Sequence, residues 1–278
     1  MRNLLLRRLE LMNMDAGLTG KRALVTGGAS GIGLGIARAL AQEGVQLVIA
    51  SRKPDAQAIR ELQAINGATH ALAADVSTEG GACAMIKEAI AKLGGLDLYV
   101  NNAAGAWHEP ITKVTASAFQ RTIDTNLAAC LFACREVGRH FIRQRSGSIV
   151  VVGSTSRLTP GYGEVSYRIS KAGLKVIVQN LAMELAPWGI RVNMLTPGHF
   201  PTRLTAGIPE AIEGWLKTQI PLRRFGDPLE EVGPAAVLLL SDRLSGYTTG
   251  GDLIIDGGLS LRGMNHRSDE ELEALNMP

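Results

Sequence analysis

The chain has 278 residues, 46% hydrophobic, 20% charged and only 4% aromatic, with 32 glycines. This is enough apolar material for a sizeable core, and the length suits one large domain or two small ones. The net charge of +3 is spread over scattered lysines and arginines, which excludes a nucleic-acid-binding stripe; Arg143 with Arg145, and Arg223 with Arg224, read as solvated edges.

The first residues, MRNLLLRRLELMNMDAGL, hold a three-leucine run cut at once by Arg7 and Arg8. That run is too short for a secretory apolar region, and no stretch of about 18 apolar residues offers a membrane span. Residues 1–17 read as a short amphipathic extension or as the product of an upstream start, Met12 and Met14 lying nearer the first strand. The three cysteines, Cys83, Cys130 and Cys134, show neither disulfide nor zinc-ligand spacing. Cys130 and Cys134 fit small apolar fillers on a helix, and a reducing cytoplasm fits the count.

From Lys21 short apolar runs alternate with helical stretches. Strands are expected at 23–26, 45–51, 70–75, 96–102, 148–154, 190–196 and 251–258. Helices are expected over 32–43, 54–65, 78–93, 116–143, 164–186, 202–218 and 228–241. Strands buried on both faces and separated by helices predict an α/β fold: a Rossmann-like, doubly wound, seven-stranded parallel sheet. No composition break divides the chain. Residues 18–262 therefore read as a single domain, and 263–278 as a polar, acidic tail.

The run TGGASGIG (26–33) falls at the first strand-to-helix turn. Glycines there let the backbone approach a pyrophosphate, while the helix N-terminus offers free N–H groups and positive dipole. Glycine turns also serve packing, and the spacing at Gly27, Gly31 and Gly33 is not the commoner G-x-G-x-x-G. Further on, Ser154 precedes Tyr167 by thirteen residues, and Lys171 follows four residues later. On a helix Tyr167 and Lys171 share a face, where a nearby ammonium eases ionisation of a phenol. Such a phenol can exchange protons with a substrate oxygen, although the same spacing also occurs on ordinary surface helices.

Taken together, these motifs resemble the short-chain dehydrogenases/reductases over nearly the whole chain. The family's T-G-x-x-x-G-x-G loop matches Thr26, Gly27, Gly31 and Gly33, and its aspartate after the third strand matches Asp75. NNAAG (101–105) matches its N-N-A-G with one extra alanine, and Asn126, Ser154, Tyr167 and Lys171 match its active-site residues. Pro197, Gly198 and Thr202 match the segment over the nicotinamide.

The resemblance implies that Tyr167 exchanges the proton, Ser154 binds the same oxygen and Asn126 positions a relay water. Lys171 would hold the ribose and depress the tyrosine pKa. The implied cofactor contacts are Thr26, Gly27, Ser30, Gly31, Ile32, Gly33, Ser51, Arg52, Asp75, Val76, Asn102, Ala103, Tyr167, Lys171, Pro197, Gly198 and Thr202, with no metal. A small-molecule carbonyl or alcohol substrate and a homodimer or homotetramer are implied as well.

Ser51 stands at the end of the second strand, where an acidic residue would bind ribose hydroxyls, and Arg52 and Lys53 follow it. A guanidinium forks onto phosphate, so NADP(H) is favoured over NAD(H). Arg52 capping the strand edge in solvent is the plainer reading, and the glycine loop carries Ser30 where many NADP-dependent relatives have a basic residue.

The segments at 106–111, 155–165 and 199–224 are expected to shape the substrate site. Trp107, Leu158, Tyr162, Phe200, Leu204 and Trp215 would give a largely apolar pocket, with His108, His199 and Arg203 as polar candidates. The activity implied is reduction of a ketone, of the ketoacyl or keto-substrate type. An alcohol, polyol or sugar-acid dehydrogenase running oxidatively and a non-catalytic cofactor binder are the alternatives. NNAAG also resembles dienoyl-CoA reductases, which lack this Tyr–Lys pair.

Overall fold

In the computed structural model, residues 15–202 and 210–261 are described. Arg203, Leu204, the first part of the helix expected over 202–218 and the 263–278 tail lie outside them, as does residues 1–14 of the extension.

The elements run β1 (Arg22–Thr26), α1 (Gly31–Gln42), β2 (Gln46–Ser51), α2 (Ala56–Ile65), β3 (Thr69–Ala73) and α3 (Glu79–Leu93). They continue with β4 (Leu98–Asn101), α4 (Ala116–Ile123), α5 (Ala129–Gln144), β5 (Gly147–Val152) and α6 (Val165–Leu185). The chain then forms β6 (Ile190–Pro197), α7 (Glu210–Thr218), α8 (Gly233–Leu240), α9 (Asp242–Ser245) and β7 (Asp252–Ile255). All seven strands form one parallel sheet, as expected, and their order is β3-β2-β1-β4-β5-β6-β7.

Consecutive strand residues feed opposite faces, so the near-continuous apolar runs build two cores. Val25, Ile49, Val100 and Val150 pack toward Ile36, Leu40 and Leu240 on α1 and α8. Leu24, Val48, Tyr99 and Val151 pack toward Met85, Cys134 and Leu174 on α3, α5 and α6. Cys130 and Cys134 are buried in the second core, their Sγ atoms 3.9 Å apart, and the three cysteines are free. The first core depends on small residues: a Cβ on Gly233 would sit 2.8 Å from Ala39 Cβ.

The helix expected over 116–143 is not continuous. A π-helical turn, Asp124–Ala128, separates α4 from α5 and carries Asn126. Such turns insert one residue and disturb the i to i+4 ladder, often at functional sites, and hydrophobic periodicity does not register them. A second π turn, Pro228–Val232, precedes α8.

Asp15–Gly17 belong structurally to the body of the fold. Ala16 is buried, its carbonyl accepts a 2.6 Å hydrogen bond from Ser241 Oγ, and Asp15 pairs with Arg243.

The β1–β4 junction is where the strand order reverses, and it places a crevice at the carboxyl ends of the strands.

Candidate active site

A cavity of about 710 Å³ fills that crevice. Its wall brings together Thr26, Gly27, Ser30, Gly31, Ile32, Gly33, Ser51, Arg52, Asp75, Val76, Asn102, Ala103, Tyr167, Lys171 and Thr202. Pro197, Gly198, Asn126 and Ser154 do not line it.

The glycine loop is shaped by its neighbours. The Thr26 hydroxyl accepts the Asn102 and Ala103 N–H groups at 2.9 and 3.0 Å and donates to the Val100 carbonyl at 3.3 Å. Asn102 Nδ2 returns a 2.9 Å bond to the Thr26 carbonyl. Gly27, at φ 66°, has room only for hydrogen: a Cβ would lie 2.7 Å from Asn102 Nδ2. At Gly31, also left-handed at φ 51°, a Cβ would meet the Thr202 methyl at 3.1 Å. Ser30 is the N-cap of α1, yet its side chain makes no capping bond, so the first helical N–H groups are offered to the cavity. A close-approach glycine cradle under an uncapped helix N-terminus fits a dinucleotide pyrophosphate.

At the far end of β2, exposed Arg52 and Lys53 form the cavity rim beside Ser51. Asp75 faces them. Its carboxylate accepts the Ser77 N–H at 3.0 Å, and the Ser77 hydrogen bonds, followed by the Arg52 charge, hold its pKa below the usual value. Ser77, Thr125 and Gly153 also line the cavity and were not singled out from the sequence. Of these, only the Asp75-x-Ser77 turn leaves a recognisable signature.

Lys171 is buried, and its Nζ donates to the Val152 carbonyl at 3.1 Å. Desolvation lowers its pKa to about 8. The Nζ lies 5.7 Å from the centroid of the Tyr167 ring. Burial raises the Tyr167 phenol above its ordinary value, opposed first by the Ser154 hydroxyl, while Glu164 adds to the rise and Arg168 counters it. The Ser154 hydroxyl accepts the Ser156 N–H at 3.1 Å, which fixes the start of the turn after β5.

The Asn126 side chain is buried and fully occupied. Its Nδ2 donates to the Gly105 carbonyl and to Ser170 Oγ at 2.9 and 3.1 Å, and its Oδ1 accepts the Gly105 N–H at 2.8 Å. The side chain thus ties the NNAAG segment to the π turn and α6.

Among the described residues the side chains expected to form the apolar substrate pocket are not gathered together. Phe200 is buried in the core beneath α1 and α8, Tyr162 is fully exposed, and Leu158 and Trp215 are also exposed. Trp107 packs instead under the Arg121 guanidinium, 4.5 Å from its ring centroid. His199 and Phe200 line a separate cavity of about 530 Å³ beside β7, and burial lowers the His199 pKa. His108 lies 3.4 Å from Glu164 Oε1. These side chains sit on turns, where spacing alone does not say which way they point.

A family model described as Enoyl-(Acyl carrier protein) reductase matches residues 27–260. The 3-oxoacyl-(acyl-carrier-protein) reductase of Chlamydia pneumoniae is 36% identical over 250 residues, covering 89% of this chain and 100% of that relative. Among solved structures, a gluconate 5-dehydrogenase from Burkholderia cenocepacia in complex with NADP and tartrate superposes with a TM-score of 0.83 at 30% identity, covering 88% of this chain and 97% of that one. A 3-oxoacyl-(acyl-carrier protein) reductase from Brucella melitensis in complex with NAD gives a TM-score of 0.82 at 31% identity, covering 88% and 99%. The glycine cradle, the Tyr167–Lys171 helix and these matches place the chain in the short-chain dehydrogenase/reductase family, as an NAD(P)-dependent oxidoreductase.

Proposed function

We propose that this protein is an NADP(H)-dependent reductase converting a ketone to a secondary alcohol. The observation that carries the cofactor preference is the cavity rim at the end of β2, where neutral Ser51 is followed by exposed Arg52 and Lys53. No carboxylate occupies the position of Ser51 to repel a 2′-phosphate, and a guanidinium can fork onto one.

When bound, the nicotinamide would supply a hydride to the carbonyl carbon. Tyr167 would give its phenolic proton to the carbonyl oxygen, and Ser154 would hydrogen-bond that oxygen. Lys171 spends one N–H on Val152, which leaves two for ribose hydroxyls and the proton path. Thr26, Gly27, Ser30, Gly31, Ile32 and Gly33 would hold the pyrophosphate, Asp75 and Val76 the adenine, and Asn102 and Ala103 the adjoining backbone. Pro197, Gly198 and Thr202 would cover the nicotinamide, and Asn126 would support the relay through the π turn.

The polar side chains near Tyr167, namely His108, Glu164 and Arg168, favour a second reading: a polyol or sugar-acid dehydrogenase running oxidatively. A panel of ketones, β-ketoacyl thioesters and keto-sugars with NADPH, set against alcohols and sugar acids with NADP+, decides between them. We also propose a homodimer or homotetramer in the cytoplasm. Leu131 on α5 and Val176 and Met183 on α6 leave apolar side chains exposed, and no helix among the described residues is long and apolar enough to cross a membrane.

Three outcomes follow. Arg52→Asp lowers kcat/KM with NADPH at least ~10-fold while sparing NADH, the loss expected for one charge-assisted phosphate contact; an unchanged ratio between the cofactors removes the NADP(H) assignment. Light scattering gives a mass of two or four chains, and a mass equal to one 29.5 kDa chain contradicts the assembly.

The third concerns Lys171. Its pKa falls from 10.5 to about 8 on folding, so between those values the unfolded chain binds more protons and stability rises with pH. Below about pH 8 the cost of the buried charge is fully present. Lys171→Met therefore stabilises the fold at neutral pH by about 1–3 kcal/mol while abolishing turnover. A lowered Tm at pH 7 contradicts this.

A further inference from the structure

Tyr167 stands between two charges that do not line the dinucleotide cavity. Glu164 precedes it by three residues and Arg168 follows it directly, and their side chains form an ion pair at 2.6 Å, 25% and 19% exposed. Glu164 is the N-cap of α6, but its carboxylate makes no capping bond. One oxygen turns to Arg168 and the other faces His108 Nε2 at 3.4 Å. Arg168 Nη1 donates to the Ser156 carbonyl at 2.5 Å, within the turn that Ser154 opens. Gly161 lies so close to the guanidinium that any Cβ there would strike Nη2. The Glu109 N–H closes the far end of the loop on the Gly163 carbonyl at 2.8 Å.

We propose that Glu164 and Arg168 are positioning residues for the proton step, a clamped pair of opposite charges that holds the Ser154 turn against Tyr167 and sets the field at its phenol. The proposal rests on the reading of Tyr167 as proton donor. Burial contributes most to the raised pKa of this phenol, and the Ser154 hydrogen bond opposes it. Glu164 raises it further and Arg168 lowers it, so the two charges partly cancel. Their cancellation depends on geometry. Arg168 is held by the Ser156 carbonyl and confined by Gly161, and Glu164 is held by its ion pair with Arg168, with His108 Nε2 at 3.4 Å from its other oxygen.

The other groups facing this centre are Lys171 on the same helix, His108 on the loop after β4 and His199 after β6. Lys171 is 5.7 Å from the tyrosine ring, His108 lies behind Glu164, and His199 also feels the Glu164 charge. Removing one member of the pair leaves the other uncompensated, and the sign of the survivor fixes the direction of the effect.

The test needs no substrate. Tyrosinate absorbance of the full chain is titrated, and the curve of the matching Tyr167→Phe protein is subtracted, isolating Tyr167 from Tyr99, Tyr162 and Tyr247. Glu164→Gln moves the Tyr167 transition to lower pH by roughly half a pH unit or more, the scale of one partly screened charge. Arg168→Met moves it to higher pH, Arg168→Lys keeps it near wild type, and the double variant Glu164→Gln/Arg168→Met returns toward wild type.

A transition that stays put in both single variants, or moves in the same direction in both, overturns the proposal. If Arg168→Met does not fold by circular dichroism, Glu164→Gln and Arg168→Lys carry the same test of sign. Full turnover in Tyr167→Phe would instead remove the proton-donor reading, whichever way the titrations fall.

Discussion

The Thr26–Asn102 knot at the β1–β4 junction is the constraint on which the site depends. Parallel strands that diverge at a switch point leave a crevice, but its floor must be closed without occupying it. One threonine hydroxyl does this by taking two backbone N–H groups from the segment after β4 and donating to the Val100 carbonyl near the end of that strand. The Asn102 amide then holds the Thr26 carbonyl and excludes any side chain at Gly27. The α1 N-terminus stays uncapped just above, so its free N–H groups and partial positive charge have one direction in which to act.

The second organising element is α6, which brings Tyr167 and Lys171 to one wall. Lys171 is carried to the carboxyl end of β5, buried at a cost in solvation that lowers its pKa to about 8. Tyr167 is pushed the other way by burial, and Ser154 and Arg168 pull it back. Desolvation works against both charged forms, so neither group owes its acidity to the other alone. Below them, the Asn126 amide locks the NNAAG segment to the π turn, which converts an irregular helix into a fixed support.

The sheet and most of the cavity were legible in the chain because they rest on periodicities. Apolar runs such as 23–26 and 148–152 can only be double-faced strands, and the glycine spacing at 27, 31 and 33 falls at the first strand-to-helix turn. The π turn at Asp124–Ala128 left no such trace, since its residues continue the apolar pattern of a single long helix. Among the described residues the expected apolar pocket did not form, for a related reason. Phe200 and Tyr162 look alike as loop aromatics, yet one is buried in the core and the other stands in solvent. The Glu164–Arg168 pair was visible only as an i, i+4 spacing, and its relation to Ser156 and Gly161 exists only once the loop folds back.

The reading of Tyr167 as proton donor is tested most directly by pairing an NADPH-binding titration with turnover on the best carbonyl of the substrate panel, for wild type and Tyr167→Phe. The account predicts that NADPH affinity stays within about twofold while turnover falls ~10²-fold or more, the scale of a positioned general acid. Undiminished turnover in Tyr167→Phe, or a loss of turnover that merely follows a loss of NADPH binding, would contradict it.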